Sequence, residues 1–312
     1  HLHRLPLPAM NSLFSHLRIA VVGFLMGCAD VVPGVSGGTI AFICGIYDRL
    51  LNGIKSFDLG SLKLVLRGDF KGLWARIPFP FFIALGTGLL TAILTLAKVL
   101  EHLMVNHPVQ LWSFFFGLVL GSILLLGRKT WVWKPLDWVV FVAFTGATFV
   151  LVGLDSLQTP PGLPYIFLAG AIAICAMILP GISGSYLLVI MGKYAPIIEA
   201  VNERNITTLA VFCAGIATGI LSFVRIVSWL LRDFRHVTLI ALTGVMAGAL
   251  RTLWPWKETL TTRINSSGET VPLTQANIAP GAGENLLLAV GLAVIGGVAV
   301  LLIERLARAE EA

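Results

Sequence analysis

The residues of this chain best placed to do chemistry are hydroxyls and glycines that interrupt apolar sequence, and they occur twice. Pro33-Gly34-Val35-Ser36-Gly37-Gly38-Thr39 near the start returns as Pro180-Gly181-Ile182-Ser183-Gly184-Ser185 near the middle. The register runs on in both directions, pairing Cys28 with Cys175, Gly45 with Gly192 and Tyr47 with Tyr194. Proline deletes a helical hydrogen bond and glycine loosens the backbone, so Pro33-Gly34 and Pro180-Gly181 should each break a helix. The apolar runs that follow, 39–44 and 186–191, allow a helix to restart at Ser36 and at Ser183. Such a start leaves its first amide N–H groups unpaired and turns the positive end of the helix dipole toward the break. Amides and hydroxyls so arranged bind an anion without a formal cation. One half-site would comprise Ser36, Gly37, Gly38 and Thr39, and the other Ser183, Gly184 and Ser185. In the plainer alternative each serine only caps its own helix.

Asp30 breaks the symmetry, because its repeat mate is Met177. A carboxylate inside a membrane segment costs at least ~2.5 kcal/mol and marks a candidate functional site. It reads either as a proton- or sodium-coupling group beside the anion site or as a partner for amides freed by the break. Arg225, the third residue after Ser222, could pair with Asp30, counter a phosphate, or snorkel to the surface. Lys98 and Lys193, near the ends of apolar segments, read as snorkelling anchors, and Tyr47 and Tyr194 suit the interface belt or a headgroup contact.

Covalent chemistry has little to work with. There is no His-Glu-x-x-His, no phosphate-cradling Gly-x-x-x-x-Gly-Lys and no nucleophile elbow. His102 and His107 have poor spacing for a helical metal pair, so no metal and no cofactor is expected. The cysteines lie in apolar runs and read as small buried hydrophobes.

The elements that must position these residues are membrane helices. Apolar residues make up 57% of the chain and charged ones 12%, about half the usual soluble share, and the mean hydropathy is +0.89. The net charge of +6 is spread over short loops and forms no basic stripe, so no nucleic-acid partner is expected. Apolar spans fall at about 78–100, 109–127, 137–153, 207–231, 237–254 and 286–304, each near the ~20 residues that cross a bilayer. Two further stretches, about 18–47 and 164–194, carry the motifs. If these are re-entrant, the loops bearing Lys55, Lys63, Arg67, Lys71 and Arg76, then Arg128 and Lys134, then Arg232 and Arg235 share the cytoplasmic side, as do both termini. If the first motif crossed fully, the most basic loop would be exported.

The expected architecture is therefore an all-α polytopic membrane protein with six transmembrane helices and two re-entrant, broken helical hairpins. It forms one membrane domain over 1–312, with a first repeat at 18–153 and a second at 164–306. Each half holds three crossings, an odd number, so the second is inverted relative to the first, as in transporters with broken helices at the repeat interface. Gly117/Gly121 answers Gly244/Gly248 and should let helices pack closely. The polar 255–285 segment reads as an extracytoplasmic loop, and 48–77 as short amphipathic surface helices helped by Trp74.

The run from Met26 to Thr39, followed by Gly45-Ile46-Tyr47-Asp48-Arg49, resembles a bacterial family of polyprenyl-phosphate (undecaprenyl-phosphate) transporters. Leu179 to Ser185 with Gly192-Lys193-Tyr194 resembles that family's second signature, and the resemblance spans the chain. It implies a flippase in the bacterial cytoplasmic membrane that returns the lipid carrier of envelope glycan synthesis to the inner leaflet. The partner would be the lipid phosphate, with H+ or Na+ as coupling ion among ordinary membrane lipids. Two other functions fit parts of the pattern: a small-anion channel or exchanger using paired helix N-termini, and a lipid-phosphate phosphatase.

Overall fold

The computed structural model describes residues 12–31, 36–129, 133–154, 159–264, 270–281 and 285–309; Pro33 and Gly34, the expected first break, lie outside them. Helix α1 (Ser12–Val31) leads into the first motif, followed by α2 (Gly37–Ile43) and α3 (Tyr47–Lys55). Two short helices, α4 (Leu59–Leu66) and α5 (Phe70–Arg76), precede α6 (Phe79–Asn106), α7 (Pro108–Lys129) and α8 (Pro135–Leu151). The second half opens in the same order with α9 (Leu163–Ile178), α10 (Gly184–Ile190) and α11 (Tyr194–Asn202). It continues through α12 (Ile206–Asp233), α13 (Arg235–Ala249), strands β1 (Lys257–Ile264) and β2 (Thr270–Asn277), and α14 (Leu286–Ala309).

Length decides which helices can cross. Among the described residues, α6, α7, α12 and α13 (the last extended to Leu253) are long and apolar enough to span a bilayer, so this is a multi-pass membrane protein. Two other expected crossings are shorter: α8 has 17 residues, and the apolar part of α14 is Leu286–Leu302. At 1.5 Å per residue, α8 reaches about 26 Å, a little under the ~30 Å of hydrocarbon. Helices α10 and α11 together are apolar enough for a fifth span, but they meet at 105°, as in a broken span or a re-entrant loop.

The long helices pack in four close pairs: α1 on α6, α9 on α12, α7 on α14 and α8 on α13. The last helix of each half thus lies against the middle long helix of the other. A glycine sits in every seam. A Cβ at Gly88 would overlap the Ala20 carbonyl, at Gly215 that of Phe167, at Gly117 that of Ala293 and at Gly248 that of Thr145. Lipid tails are as apolar as leucine, so close backbone approach supplies the attraction that burial from water supplies elsewhere.

The basic segment after α3 forms the expected surface helices. Asp58 caps α4 by accepting from Ser61 N at 2.9 Å, and Asp69 caps α5 by accepting from Gly72 N at 2.8 Å. The Ser61 amide and the Arg76 guanidinium, 2.6 Å away, hold the Asp58 carboxyl below its ordinary value. Leu59, Leu62, Leu66, Phe70 and Trp74 are exposed on these helices, beside Lys63, Arg67 and Lys71. That composition suits the headgroup layer.

One expectation needs correcting. The 255–285 segment is more than a loop, and the fold is not wholly helical: β1 and β2 pair antiparallel, with Lys257 opposite Asn277 and Ile264 opposite Thr270. The alternating Thr, Ile and Val residues carry strand propensity that mean polarity hides. Register shifts at Thr259–Thr262 and Pro272 are tolerated because a two-stranded ribbon is all edge. The hairpin is tied down by Trp254 Nε1 donating to the Ile278 carbonyl and by Asn277 Nδ2 donating to the Arg251 carbonyl, each at 2.8 Å. Lys257 Nζ lies 3.5 Å from the centre of the Trp112 ring and donates to the Thr252 carbonyl at 2.6 Å.

The seams give a direct test. Gly117→Leu should lower the stability of the detergent-solubilised protein by about 1–3 kcal/mol, the usual cost of overpacking, read as a drop in thermal midpoint. Gly86→Leu, where an added Cβ meets nothing within 4 Å, should leave the midpoint in place.

Candidate functional site

The two motifs come together in the protein core, and they are not equivalent. In the first, Ser36 is extended (φ −117°, ψ 127°) and its hydroxyl accepts from Gly38 N at 3.1 Å, capping α2. Asp30, near the end of α1, accepts from Gly37 N at 2.7 Å through Oδ1. Thr39 N donates to the Ser36 carbonyl at 2.9 Å. All three leading amides of α2 are therefore filled from within the chain, one of them by a carboxylate in the place an anionic ligand would take. Glycine at 37 is required for this closeness: a Cβ there would come within 2.6 Å of Asp30 Oδ2.

The second copy is built the same way but left open. Ser183 is the extended N-cap of α10, yet its side chain makes no capping bond. Instead its hydroxyl lies 2.9 Å from that of Ser185. Met177 stands in the position of Asp30 and offers no acceptor. The amides of Gly184 and Ser185 have no hydrogen-bond partner among the described residues. Ser185 is exposed and Ser183 half-buried. The Gly184 and Ser185 amides thus gather where no acceptor among the described residues answers them.

Direct bonds cross between the copies. Gly181 N donates to Thr39 Oγ1 at 2.8 Å, and Tyr47 OH donates to the Ile178 carbonyl at 3.1 Å. The Ser36 hydroxyl also faces the Leu179 carbonyl at 3.4 Å and that of Met177 at 3.5 Å. Thr39, Ser36 and Pro180 are among the most deeply buried residues of the protein. Gly181 has φ +97°, in the region that favours glycine, and a Cβ there would press on Met246 and Ala249. Carbonyls freed by the second break are thus satisfied by side chains of the first motif, and a freed amide by Thr39.

The remaining sequence candidates divide. Arg225 is exposed on α12 and forms no ion pair with Asp30 among the described residues. Lys193 is no snorkelling anchor: it is 5% exposed and donates to the carbonyls of Thr159 (3.2 Å) and Pro160 (2.7 Å), holding the chain that enters α9. Tyr47, 3% exposed, belongs to the core rather than the interface belt. Cys213 is exposed rather than buried. Tyr186, which the motif comparison passed over, donates to the Val152 carbonyl at 2.5 Å and ties α10 to the end of α8. The cross-links of Thr39 and Tyr47 were not foreseeable from either motif alone; the repeat match of Tyr47 with Tyr194 was their one trace.

The sequence has counterparts among known proteins. Residues 26–271 match the model of the undecaprenyl phosphate translocase-like family. A polyprenyl-phosphate transporter of Vibrio cholerae is 48% identical over 275 residues, covering 87% of this chain and 87% of its own. One from Staphylococcus aureus is 28% identical over 253 residues, covering 75% of this chain and 84% of its own. No solved structure matches the chain.

Thr39→Val should test the cross-link. It keeps the shape but leaves the buried Gly181 amide without an acceptor, a loss of about 1–3 kcal/mol. Thermal unfolding of the purified protein should show the drop, and Thr39→Ser should restore most of it.

Proposed function

The chain belongs to the undecaprenyl phosphate translocase-like family, and on that premise we propose that it is a transporter, not an enzyme, that returns polyprenyl phosphate across the bacterial cytoplasmic membrane for envelope glycan synthesis. The observation that carries the reading is the pair of interlocked helix starts, one filled by Asp30 and the other open at Ser183–Ser185. A phosphate monoester carries about −1.5 to −2 charges at pH 7, and in a dry site it needs donors in place of water. The prenyl tail needs nothing from the protein interior, since lipid solvates it.

In this reading the halves 18–153 and 164–306 are inverted repeats, each with three crossings and one re-entrant hairpin, and both termini are cytoplasmic. The reciprocal packing of α7 on α14 and α13 on α8 supports a two-fold relation between them. The phosphate is held by Ser183, Gly184 and Ser185, and reaches Ser36, Gly37, Gly38 and Thr39 when the halves rock to their other arrangement. For that, Asp30 must give up Gly37. Protonation removes the charge from that hydrogen bond and weakens it, so proton binding at Asp30 is the natural coupling step; sodium held by the same carboxylate is the alternative. Arg225, exposed on α12, is in this reading an approach cation rather than the partner of Asp30.

Two measurements test this in liposomes containing polyprenyl phosphate. Ser183→Ala with Ser185→Ala should slow flipping at least ~10-fold, since a hydrogen bond to a charged group is worth about 1.5–3 kcal/mol; an unchanged rate for folded protein overturns the site. Asp30→Asn keeps an acceptor for Gly37 but cannot exchange a proton. It should abolish accumulation driven by a pH gradient while leaving equilibration of the lipid between leaflets, and persistent gradient-driven uptake would rule out Asp30 as the coupling group.

A further inference from the structure

The second half of α12 and the start of α13 face α3 across a groove of about 320 Å³. No motif serine lines it, yet only three residues separate the end of α2 from the start of α3. Asp48, Asn52 and Lys55 are spaced four and three apart on α3 and so share one face of it. Ser228 and Arg232 are four apart on α12, and Arg235 opens α13. Three cations against one lining carboxylate leave the groove with a charge of +2.

Its polar groups are under-used. Asp48 pairs with Arg235 at 3.1 Å, and Arg232 pairs with its neighbour Asp233 at 2.8 Å. The side chains in both pairs are 39–70% exposed, and such pairs contribute at most about 1 kcal/mol, so a better anion displaces the carboxylates cheaply. Lys55 is exposed and has no ion-pair partner among the described residues. The Ser228 hydroxyl is buried in the wall of the groove and has no hydrogen-bond partner among the described residues. Elsewhere on the same helix such hydroxyls are satisfied: Thr218 donates to the Ala214 carbonyl at 2.8 Å and Ser222 to that of Thr218 at 2.7 Å. A buried hydroxyl left unpaired beside three cations is a donor waiting for an acceptor.

We propose that this groove is a second anion subsite, which takes the phosphate of a lipid phosphomonoester at the cytoplasmic headgroup level, before or after its passage through the motif site. Its three cations carry the sign that a phosphate monoester needs once Asp48 and Asp233 are displaced, and the volume is about ten times the ~30 Å³ share of a water molecule. A lipid rather than a free ion is favoured by the exposed apolar surface at this end of α12, where Trp229, next in sequence to Ser228, and Phe234, next to Arg235, set their rings edge to face at 5.6 Å. An alkyl chain leaving the groove would run over them. The proposal rests on the transport reading for its purpose, though not for its geometry.

The test uses the full chain in phosphatidylcholine nanodiscs, with Ser183→Ala and Ser185→Ala in the background so that the motif site does not contribute. Decyl phosphate should bind, and Lys55→Gln with Ser228→Ala should weaken it at least ~10-fold. Lys55→Gln alone, at an exposed position that cannot disturb the fold, should give part of that loss. Inorganic phosphate should bind much more weakly than decyl phosphate; equal affinity would assign the groove to the free ion and overturn the lipid subsite. Unchanged decyl phosphate binding in the folded double variant overturns the subsite outright. A parallel liposome assay separates the two claims: native protein that flips no polyprenyl phosphate sinks the transport reading, while the loss of decyl phosphate binding on Lys55→Gln would still stand for the groove.

Discussion

Backbone groups freed at a helix break inside hydrocarbon must find partners within the protein, because no water is there to supply them. The structure meets this constraint at the second break by packing residues that follow the first motif's Pro-Gly against it. Carbonyls released around Ile178 and Leu179 are met by Tyr47 and Ser36, and the Gly181 amide is met by Thr39. Ser36, Thr39 and Tyr47 of the first half supply the side chains that the second break lacks, while the start of the first helix is met by its own Asp30.

The same constraint explains why the copies differ in one residue. If both helix starts were sealed by carboxylates, no donors would remain for an anionic ligand. If neither were, more buried amides would stand unpaired at a cost of about 1–3 kcal/mol each. Asp30 seals one start, and Met177 leaves the other to Ser183 and Ser185. In the proposed cycle the sealed start is the one that opens, because its cap is a titratable group rather than a backbone atom.

Much of this was legible in the sequence, for reasons that also mark where reading stops. Composition and span length place α6, α7, α12 and α13, since a bilayer imposes a length that soluble cores do not. The Pro-Gly pairs place the helix restarts at Ser36 and Ser183, which prove to be the N-caps of helices beginning at Gly37 and Gly184. Polarity alone could not show the β1–β2 hairpin, because strand propensity lies in alternation rather than mean hydropathy. Lys193 illustrates a different limit. A lysine near a segment end usually snorkels, but here the chain entering α9 folds back and offers it the carbonyls of Thr159 and Pro160. Whether Asp30 meets an amide or an arginine depends on tertiary placement, and so it stayed open until the geometry chose Gly37.

The seams between long helices set how such a site can move. Contacts at Gly88, Gly117, Gly215 and Gly248 bring backbones so close that no side chain separates them, and such surfaces slide or rotate as rigid units rather than deform. Because α14 lies on α7 and α8 on α13, each half carries an element of the other, and neither can shift without displacing its partner. A motion that frees Gly37 from Asp30 must therefore also act on the Thr39–Gly181 bond at the centre. In the proposed cycle, the interlock that satisfies the buried backbone is the same structure that would tie ligand binding at one helix start to the protonation of the other.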